Sequence, residues 1–183
     1  CHYTIKTHHP SQHFFQVSLV IRQPDSQGQI VWLPNWILGS YMIRDFARNI
    51  VSLRAKTAQG LLLDVKKLTK NQWQLAPHAG EVILDYEVYA WDLSVRGAHL
   101  DQTHGYFNGA CLLLAVQGYE QNKHSVLICK PDDVDWRVAT TLTKVEVDDE
   151  GFGVYEADNY LELIDHPVEM ADFVDIAFMV ANT

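Results

Sequence analysis

Residues 81–90 read EVILDYEVYA, and residues 15–22 read FQVSLVIR. In both stretches apolar side chains at every second position alternate with more polar ones, which is the pattern of a β-strand with one buried face. We therefore predict two long strands whose inward positions form the centre of the core. These inward positions are Val82, Leu84, Tyr86, Val88 and Ala90 in one strand and Phe15, Val17, Leu19 and Ile21 in the other.

Shorter stretches of the same kind flank these two strands and are separated by Gly, Pro and Asp turn signals. Many short strands at this spacing indicate a mainly β fold, an antiparallel β-sandwich with one or two short helices. We predict helices at 40–49, capped by Ser40, and at 158–165, capped by Asp158. The shorter strands are predicted at 3–7, 29–33, 51–56, 61–68, 72–75, 110–116, 125–129, 137–141, 153–156 and 173–180.

Composition excludes some classes of partner. The chain has 183 residues and a net charge of −9, and it contains no run of 18 apolar residues that would span a membrane. Residues 1–129 carry 11 Lys/Arg and 9 Asp/Glu, whereas residues 130–183 carry 3 and 14. Nucleic-acid binding requires a basic footprint, so we expect neither nucleic acid nor membrane as a partner. A solvated acidic face is the simplest interpretation of the last third, although such a face also attracts cations and amines.

Three widely scattered cysteines, Cys1, Cys111 and Cys129, do not form a disulfide framework. Free thiols are typical of a reducing compartment, and we expect a cytoplasmic protein. A chain that begins with Cys1 is also compatible with a lipoprotein whose signal has been removed. We expect a trimmed start instead.

The densest polar and aromatic segment is 96–109, RGAHLDQTHGYFNG, which we predict to be a functional loop. Its His99, Asp101 and His104 carry metal-ligating groups, but their spacing matches no established zinc pattern. We expect no metal here, and we expect the loop to shape a neighbouring pocket.

A second unusual stretch, 32–49, combines tryptophans with arginines. Such residues are favoured as interface anchors, so the stretch could form a binding platform. In the alternative, Trp32, Trp36 and Phe46 close one end of the sandwich while Arg44 pairs with a carboxylate.

Complete catalytic signatures are absent from the sequence. No H-E-x-x-H occurs, in which two histidines one helical turn apart hold zinc and the glutamate acts as base. No nucleophile elbow or phosphate-binding loop occurs either. Cys111 lies in an apolar stretch, where burial keeps a thiol protonated and inert. We expect no catalytic residues in this chain.

Five motifs occur in order along the chain: LPNWILGSYMIRDFARN (33–49), YAWDLSVR (89–96), LDQTHGYFNG (100–109), WRVATTL (136–142) and YLELIDHPVEM (160–170). Together they resemble one family, the PDZ-containing glycyl aminopeptidases, family sixty-one of the metallopeptidases. The resemblance spans nearly the whole chain. One departure is at 35–38, NWIL, where relatives usually carry a proline before the glycine.

The resemblance implies that residues 1–155 form an N-terminal β-sandwich domain. Residues 156–183 would then be a connector and first strand leading into a missing thermolysin-like zinc domain, which a PDZ domain would follow. The parent would remove small N-terminal residues such as glycine, with zinc polarising the scissile carbonyl and activating water. On this view the chain itself has no cofactor, and zinc belongs to the missing catalytic domain.

The resemblance also implies a role and partners. The domain would pack on the zinc domain of the same chain and partly wall its cleft, near the peptide substrate of the parent. We also allow for a homo-oligomer, and we expect the apolar segment 173–180 to promote self-association of the isolated piece. Residues expected to face the cleft are Asp101, His104, Tyr106 and Asn108, with Tyr41 and Arg44 as further candidates.

Two alternatives remain open at this point. One is a free-standing ligand- or carbohydrate-binding sandwich that stacks sugars on Trp32, Trp36 or Trp91, which requires those rings to be exposed. The other is a purely structural domain that supports folding or dimerisation.

Overall fold

The computed structural model describes residues 1–7, 9–40, 42–174 and 176–179, and strands dominate them as predicted. Helical structure consists of α1 (Gly109–Leu112), α2 (Tyr160–Asp165) and two 3-10 turns, Pro10–Gln12 and Phe46–Asn49. The strands are β1 (His2–Lys6), β2 (Phe14–Ile21), β3 (Ile30–Trp32), β4 (Ile50–Thr57), β5 (Leu62–Leu63), β6 (Val65–Lys67), β7 (Gln72–Leu75), β8 (Val82–Tyr89), β9 (Ala98–Leu100), β10 (His104–Phe107), β11 (Ala115–Val116), β12 (His124–Ile128), β13 (Arg137–Thr140), β14 (Thr143–Val147), β15 (Gly153–Ala157) and β16 (Val168–Ala171).

Within the described residues the strands form one large sheet and two small ones, arranged as a β-sandwich. The large sheet has the order β14-β15-β12-β1-β2-β8-β4-β5, and only its β1–β12 pair is parallel. The small sheets are β13-β16-β10-β9 and β11-β3-β7-β6. Phe15 of β2 meets Phe107 of β10 edge to face, with ring centroids 5.5 Å apart, so the large sheet packs on the first small sheet.

The two long strands have the predicted orientation. β2 and β8 pair antiparallel along their full length, with Val17 opposite Tyr86 and Leu19 opposite Leu84. All nine side chains predicted to point inward are buried, each with at most 2% of its surface exposed. Period-2 alternation therefore predicted the centre of the core correctly.

The buried segment 112–114 consists of the last residue of α1 and the two residues after it, and its carbonyl groups lie outside the strand ladders. Three buried tyrosines donate hydrogen bonds to it: Tyr86 to Leu112 O (2.9 Å), Tyr160 to Leu113 O (2.7 Å) and Tyr3 to Leu114 O (2.7 Å). Burial raises the pKa of all three phenols, so each remains a donor. The phenols supply the partners that buried backbone requires.

The predicted strand at 110–116 is wrong in its first half. Asn108 accepts a hydrogen bond from Ala110 N through its side chain and begins the helix α1, so only Ala115 and Val116 remain as strand. Uninterrupted apolar sequence does not distinguish a buried helical turn from a buried strand.

The helix predicted at 40–49 with Ser40 as its cap is also wrong. Asp45 has a left-handed backbone (φ 47°), and only the 3-10 turn Phe46–Asn49 follows it. Upstream, Arg44 N donates to Asn35 O across a loop that Gly39 turns with a φ of 77°. The backbone of this segment therefore forms a turn in place of the predicted helix.

Helix α2 lies where the second helix was predicted, but Asp158 is not its cap. The side chain of Asn159 accepts from Glu162 N at 2.9 Å, and the Glu162 carboxylate accepts from Asp158 N at 2.7 Å. Together they form a reciprocal cap of the capping-box kind.

The strand predicted at 173–180 is not formed at 173, 174 or 176–179, and residues 175 and 180 lie outside the described residues. Instead, β16 ends at Ala171, and the following Val174, Ile176, Phe178 and Met179 are exposed. A strand needs a hydrogen-bonded neighbour, and none is assigned to these residues.

Among the described residues, no helix has the length and hydrophobicity needed to cross a bilayer. All three cysteines are free, as predicted.

Candidate functional site

The predicted loop 96–109 is mostly a hairpin, β9 and β10, joined by a tight turn at Asp101–Thr103. Gly105 and Phe107 of β10 point into the core, while His104 and Tyr106 point outward. Tyr106 lies directly between His99 of β9 and Glu169 of β16 in the register of the sheet. We name the outer surface of this sheet the histidine face, and it consists of His99, Asp101, His104, Tyr106 and Glu169.

Asp101 holds the turn of this hairpin. Its Oδ1 accepts from Thr103 Oγ1 (2.6 Å), Thr103 N (2.7 Å) and His104 N (3.1 Å), while Oδ2 lies 3.1 Å from His99 Nε2. Burial alone would raise the pKa of Asp101, but the hydrogen bonds from Thr103, His99 and His104 together hold that pKa well below its usual range. The carboxylate is therefore ionised at neutral pH.

A column of four rings runs along the edge of the histidine face. His13 lies 4.0 Å from Trp91, Trp91 stacks on His99 at 4.7 Å, and His99 stacks on His104 at 4.9 Å. His13 Nδ1 lies 2.6 Å from Leu100 O, which ties the start of the column to β9. His99 is only 3% exposed, whereas Trp91 is 54% exposed, so the column joins the core to the surface.

Three groups of the histidine face can hold a metal ion. His99, Asp101 and His104 each offer one ligand atom, and these atoms all lie within 4.8 Å of one another. The sequence spacing did not suggest this, because it is the hairpin turn that brings the three side chains together.

Tyr106 and Glu169 form the other half of the face. Burial, followed by the nearby Cys111 and Glu169, raises the pKa of Tyr106, and its hydroxyl donates to Val95 O at 2.7 Å. Burial also raises the pKa of Glu169, although His104 and His99 act in the opposite direction. A carboxylate beside two imidazoles and a phenol can bind a cation or exchange a proton with a ligand.

The structure separates the remaining predicted residues from this face. Asn108 caps α1, and its amide lines a cavity of about 360 Å³ between the 34–43 segment and α2. Arg44 contacts Ser40 through Nη2 at 3.4 Å, while its buried Nε has no partner among the described residues. Tyr41 lies outside the described residues.

Cys111 lies in α1 rather than in a strand, and its thiol donates to Arg96 O at 2.9 Å. Burial and, to a smaller extent, Asp92 raise the pKa of Cys111, so the thiol stays protonated as predicted.

Sequence reasoning missed Glu169, His13 and Trp91 as members or neighbours of this site. For Glu169 a signal existed, because residues 168–171, VEMA, alternate apolar and polar residues as a strand does. No local signal exists for the whole column, because His13 is far in sequence from Trp91, His99 and His104.

The fold and the polar sheet face define a class, a β-sandwich domain with a surface site and no complete catalytic set among the described residues. Residues 2–172 match the family described as the Peptidase M61 N-terminal domain, and the chain belongs to that family. This confirms the resemblance drawn from the five motifs.

Several solved structures are similar to the chain. The aminopeptidase N family protein from Idiomarina loihiensis is 44% identical, with a TM-score of 0.90 over 93% of this chain. The chain spans only 29% of the length of that protein. Native yeast LTA4 hydrolase matches 93% of this chain and 28% of its own length, at 8% identity and a TM-score of 0.48, which is too distant to inform function. A search of curated protein sequences found no match.

Proposed function

We propose that this chain is the non-catalytic N-terminal domain of a zinc-dependent aminopeptidase and that its histidine face partly walls the active-site cleft of a following catalytic domain. The observation that carries the proposal is family membership over residues 2–172, combined with a half-buried polar face on the sheet that contains β16, the last of the described strands. A sheet face that contacts only solvent does not need stacked imidazoles, a carboxylate shielded by hydrogen bonds, and a phenol hydrogen-bonded to the backbone.

The path of the chain supports this placement. β16 ends at Ala171, which lies opposite His104 on one side and Arg137 on the other. Phe173 then lies over the Arg137 guanidinium, with its ring centroid 4.7 Å away, and Arg137 Nη1 donates to Phe173 O at 3.3 Å. A domain that follows would therefore begin beside the histidine face.

The chemistry of the parent follows from the family. Zinc in the catalytic domain would polarise the scissile carbonyl of a peptide with a small N-terminal residue such as glycine, and a PDZ domain would follow. The free cysteines support a cytoplasmic location. No group on the histidine face takes the catalytic role. Instead the face would exclude water and orient the peptide.

The test uses the full-length parent and variants that keep the fold. Tyr106→Phe removes one hydroxyl, His104→Gln removes one ring, and Asn108→Asp keeps the oxygen that caps α1 while removing the amide donor. We expect kcat/KM on glycyl substrates to fall by about tenfold for the first two, because small displacements of a bound substrate carry costs of that order or more. The Tm of all three variants and the zinc bound by the catalytic domain should stay constant.

Ser18→Ala on the opposite, outer face of β2 is the matched control and should leave the kinetic constants unchanged. If His104→Gln and Tyr106→Phe both match Ser18→Ala in kcat and KM, the histidine face does not border the cleft, whereas Asn108→Asp tests the separate α1 cap.

A second candidate function is favoured by the tryptophans. Trp36 is 44% exposed and Trp91 54%, and Trp32 and Trp36 line the 360 Å³ cavity together with the amides of Asn35, Asn71 and Asn108. Exposed rings beside amide groups are suited to carbohydrate stacking. Titrating the chain with oligosaccharides while following tryptophan fluorescence tests this function, and a response lost in Trp36→Ala would support it.

A further inference from the structure

We propose that His99, Asp101 and His104 form a divalent-metal site of this domain, selective for zinc-like cations. The proposal does not depend on the role of the domain in an aminopeptidase.

The separations of the ligand groups fit a tetrahedral ion. Bonds of roughly 2.0–2.2 Å from zinc to nitrogen or oxygen place neighbouring ligands of a tetrahedron about 3.3 Å apart. His99 Nε2 lies 3.1 Å from Asp101 Oδ2, and His104 Nδ1 lies 3.7 Å from Asp101 Oδ1. The two distances end on different carboxylate oxygens, so the edge from His99 to Oδ2 is already close to the required length, and one ligand atom from each of the three residues lies within 4.8 Å of the others.

The surroundings of Asp101 and His99 hold their ligand atoms in place. Thr103 and the His104 backbone donate three hydrogen bonds to Oδ1 of Asp101, in the way that outer-shell donors support ligating carboxylates. The His99 ring is buried and stacked on Trp91, which fixes its orientation. Thus two of the three ligands are ordered before any ion arrives.

One ring must move. The planes of His99 and His104 differ by only 23°, so their lone pairs do not yet converge. His104 is the ring able to turn, because its side chain is 27% exposed and it contacts Thr103 Oγ1 at 3.2 Å without deep packing. Metal binding is thus expected to unstack His104 from His99.

The donor set decides which cations bind. Two imidazoles and one carboxylate favour Zn²⁺, Co²⁺, Ni²⁺ and Cu²⁺ over Mg²⁺ and Ca²⁺, which prefer oxygen ligands. Three protein ligands leave a fourth position, which water can occupy.

The experiment titrates this chain with zinc chloride alone by calorimetry and with cobalt chloride by visible absorption. A background carrying Cys1→Ser and His2→Gln is used, because the terminal amine, the Cys1 thiol and His2 lie together and could bind zinc independently. We expect one zinc per chain and an intense tetrahedral cobalt band. His104→Gln should lower the zinc affinity by at least about tenfold, since loss of outer-shell groups alone costs that much.

His78→Gln, which removes a histidine from another loop, is the matched control and should leave zinc binding unchanged. His99→Gln is a second variant, with its fold checked by circular dichroism because the ring is buried. Equal zinc affinities for His104→Gln and His78→Gln, or only the weak cobalt absorption of an octahedral surface complex, would overturn the proposal.

Discussion

At the scale of single residues, the molecule uses polar side chains inside its core to satisfy irregular backbone. His124 is 1% exposed, and its ring packs 6.0 Å from both Tyr3 and Tyr160. Its Nε2 lies 3.1 Å from Tyr119 O, where the tautomer with a proton on Nε2 donates to that carbonyl. Nδ1 is buried and has no partner among the described residues, so a second proton has no acceptor there.

This arrangement predicts a loss of stability in mild acid. Burial lowers the pKa of His124 from 6.5 to about 4. Between those values the unfolded chain binds more protons at this site than the folded chain, so the free energy of unfolding should fall as the pH falls from 6.5 to 4. We expect this residue to contribute on the order of 2 kcal/mol after allowance for solvent screening.

Urea unfolding of the wild type and of His124→Gln at pH 7.5, 6, 5 and 4 measures this contribution. Glutamine retains a donor for Tyr119 O but does not titrate, so the difference between the two proteins should shrink as the pH falls. A difference in unfolding free energy that is the same at every pH would mean that His124 does not titrate in this window.

At the scale of elements, caps and turns decide where the short helices begin. Helix α2 is one turn and a half long, too short for intrinsic propensity to hold it. It depends on the reciprocal cap made by Asn159 and Glu162 and on the burial of Tyr160 and Leu163.

Substitutions at Asn159 and at the neighbouring Asp158 test which of the two side chains caps α2. Asn159→Ala should lower the free energy of unfolding by about 1 kcal/mol, because Glu162 N loses its acceptor. Asp158→Ala should change it by less than about 0.5 kcal/mol, since Asp158 contributes only its backbone N–H to the cap. Chemical denaturation of both variants at pH 7 measures the two values. A larger loss for Asp158→Ala would place the cap one residue earlier.

A comparison of predicted and observed strands shows which of them the sequence patterns identify. Nine strands lie within one residue or two of their predicted bounds, because alternation along one strand is a local property: β1, β2, β3, β4, β7, β8, β12, β13 and β15. The strand predicted at 61–68 is instead divided into β5 and β6, which belong to different sheets. β9, β10, β14 and β16 were not predicted as strands. The first two are short, and each contains a histidine and a small residue, so their pairing comes from the sheet and not from strong β-propensity.

At the scale of the whole molecule, apolar surface is left exposed at one end. Val174, Ile176, Phe178 and Met179 are each more than 80% exposed, and they follow the strand that borders the histidine face. Contiguous exposed apolar side chains are typical of an interaction site. These exposed side chains are the kind of surface that packs against another domain or chain.

The exposed segment predicts that the isolated chain associates with itself. Sedimentation velocity should show an average mass that rises with concentration, whereas a chain ending at Phe173 should stay monomeric. The Tm of the shortened chain should be nearly unchanged, because the described residues among those removed, 174 and 176–179, are not part of the core. A 183-residue chain that remains monomeric at every concentration, or a shortened chain that associates equally well, would contradict this prediction.

The sequence by itself determined the β-sandwich class, the inward faces of its two central strands, the protonated Cys111 and, through five motifs, the family. Each of these depends on short-range alternation, local burial or ordered sequence similarity. Only the tertiary structure decided that Asn108 is a helix cap and that the stacked rings and Glu169 meet His104 on one face. Those contacts join β9, β10 and β16, whose residues His99 and Glu169 are far apart in sequence. Their meeting is set by sheet pairing across the whole fold, and no local pattern encodes it.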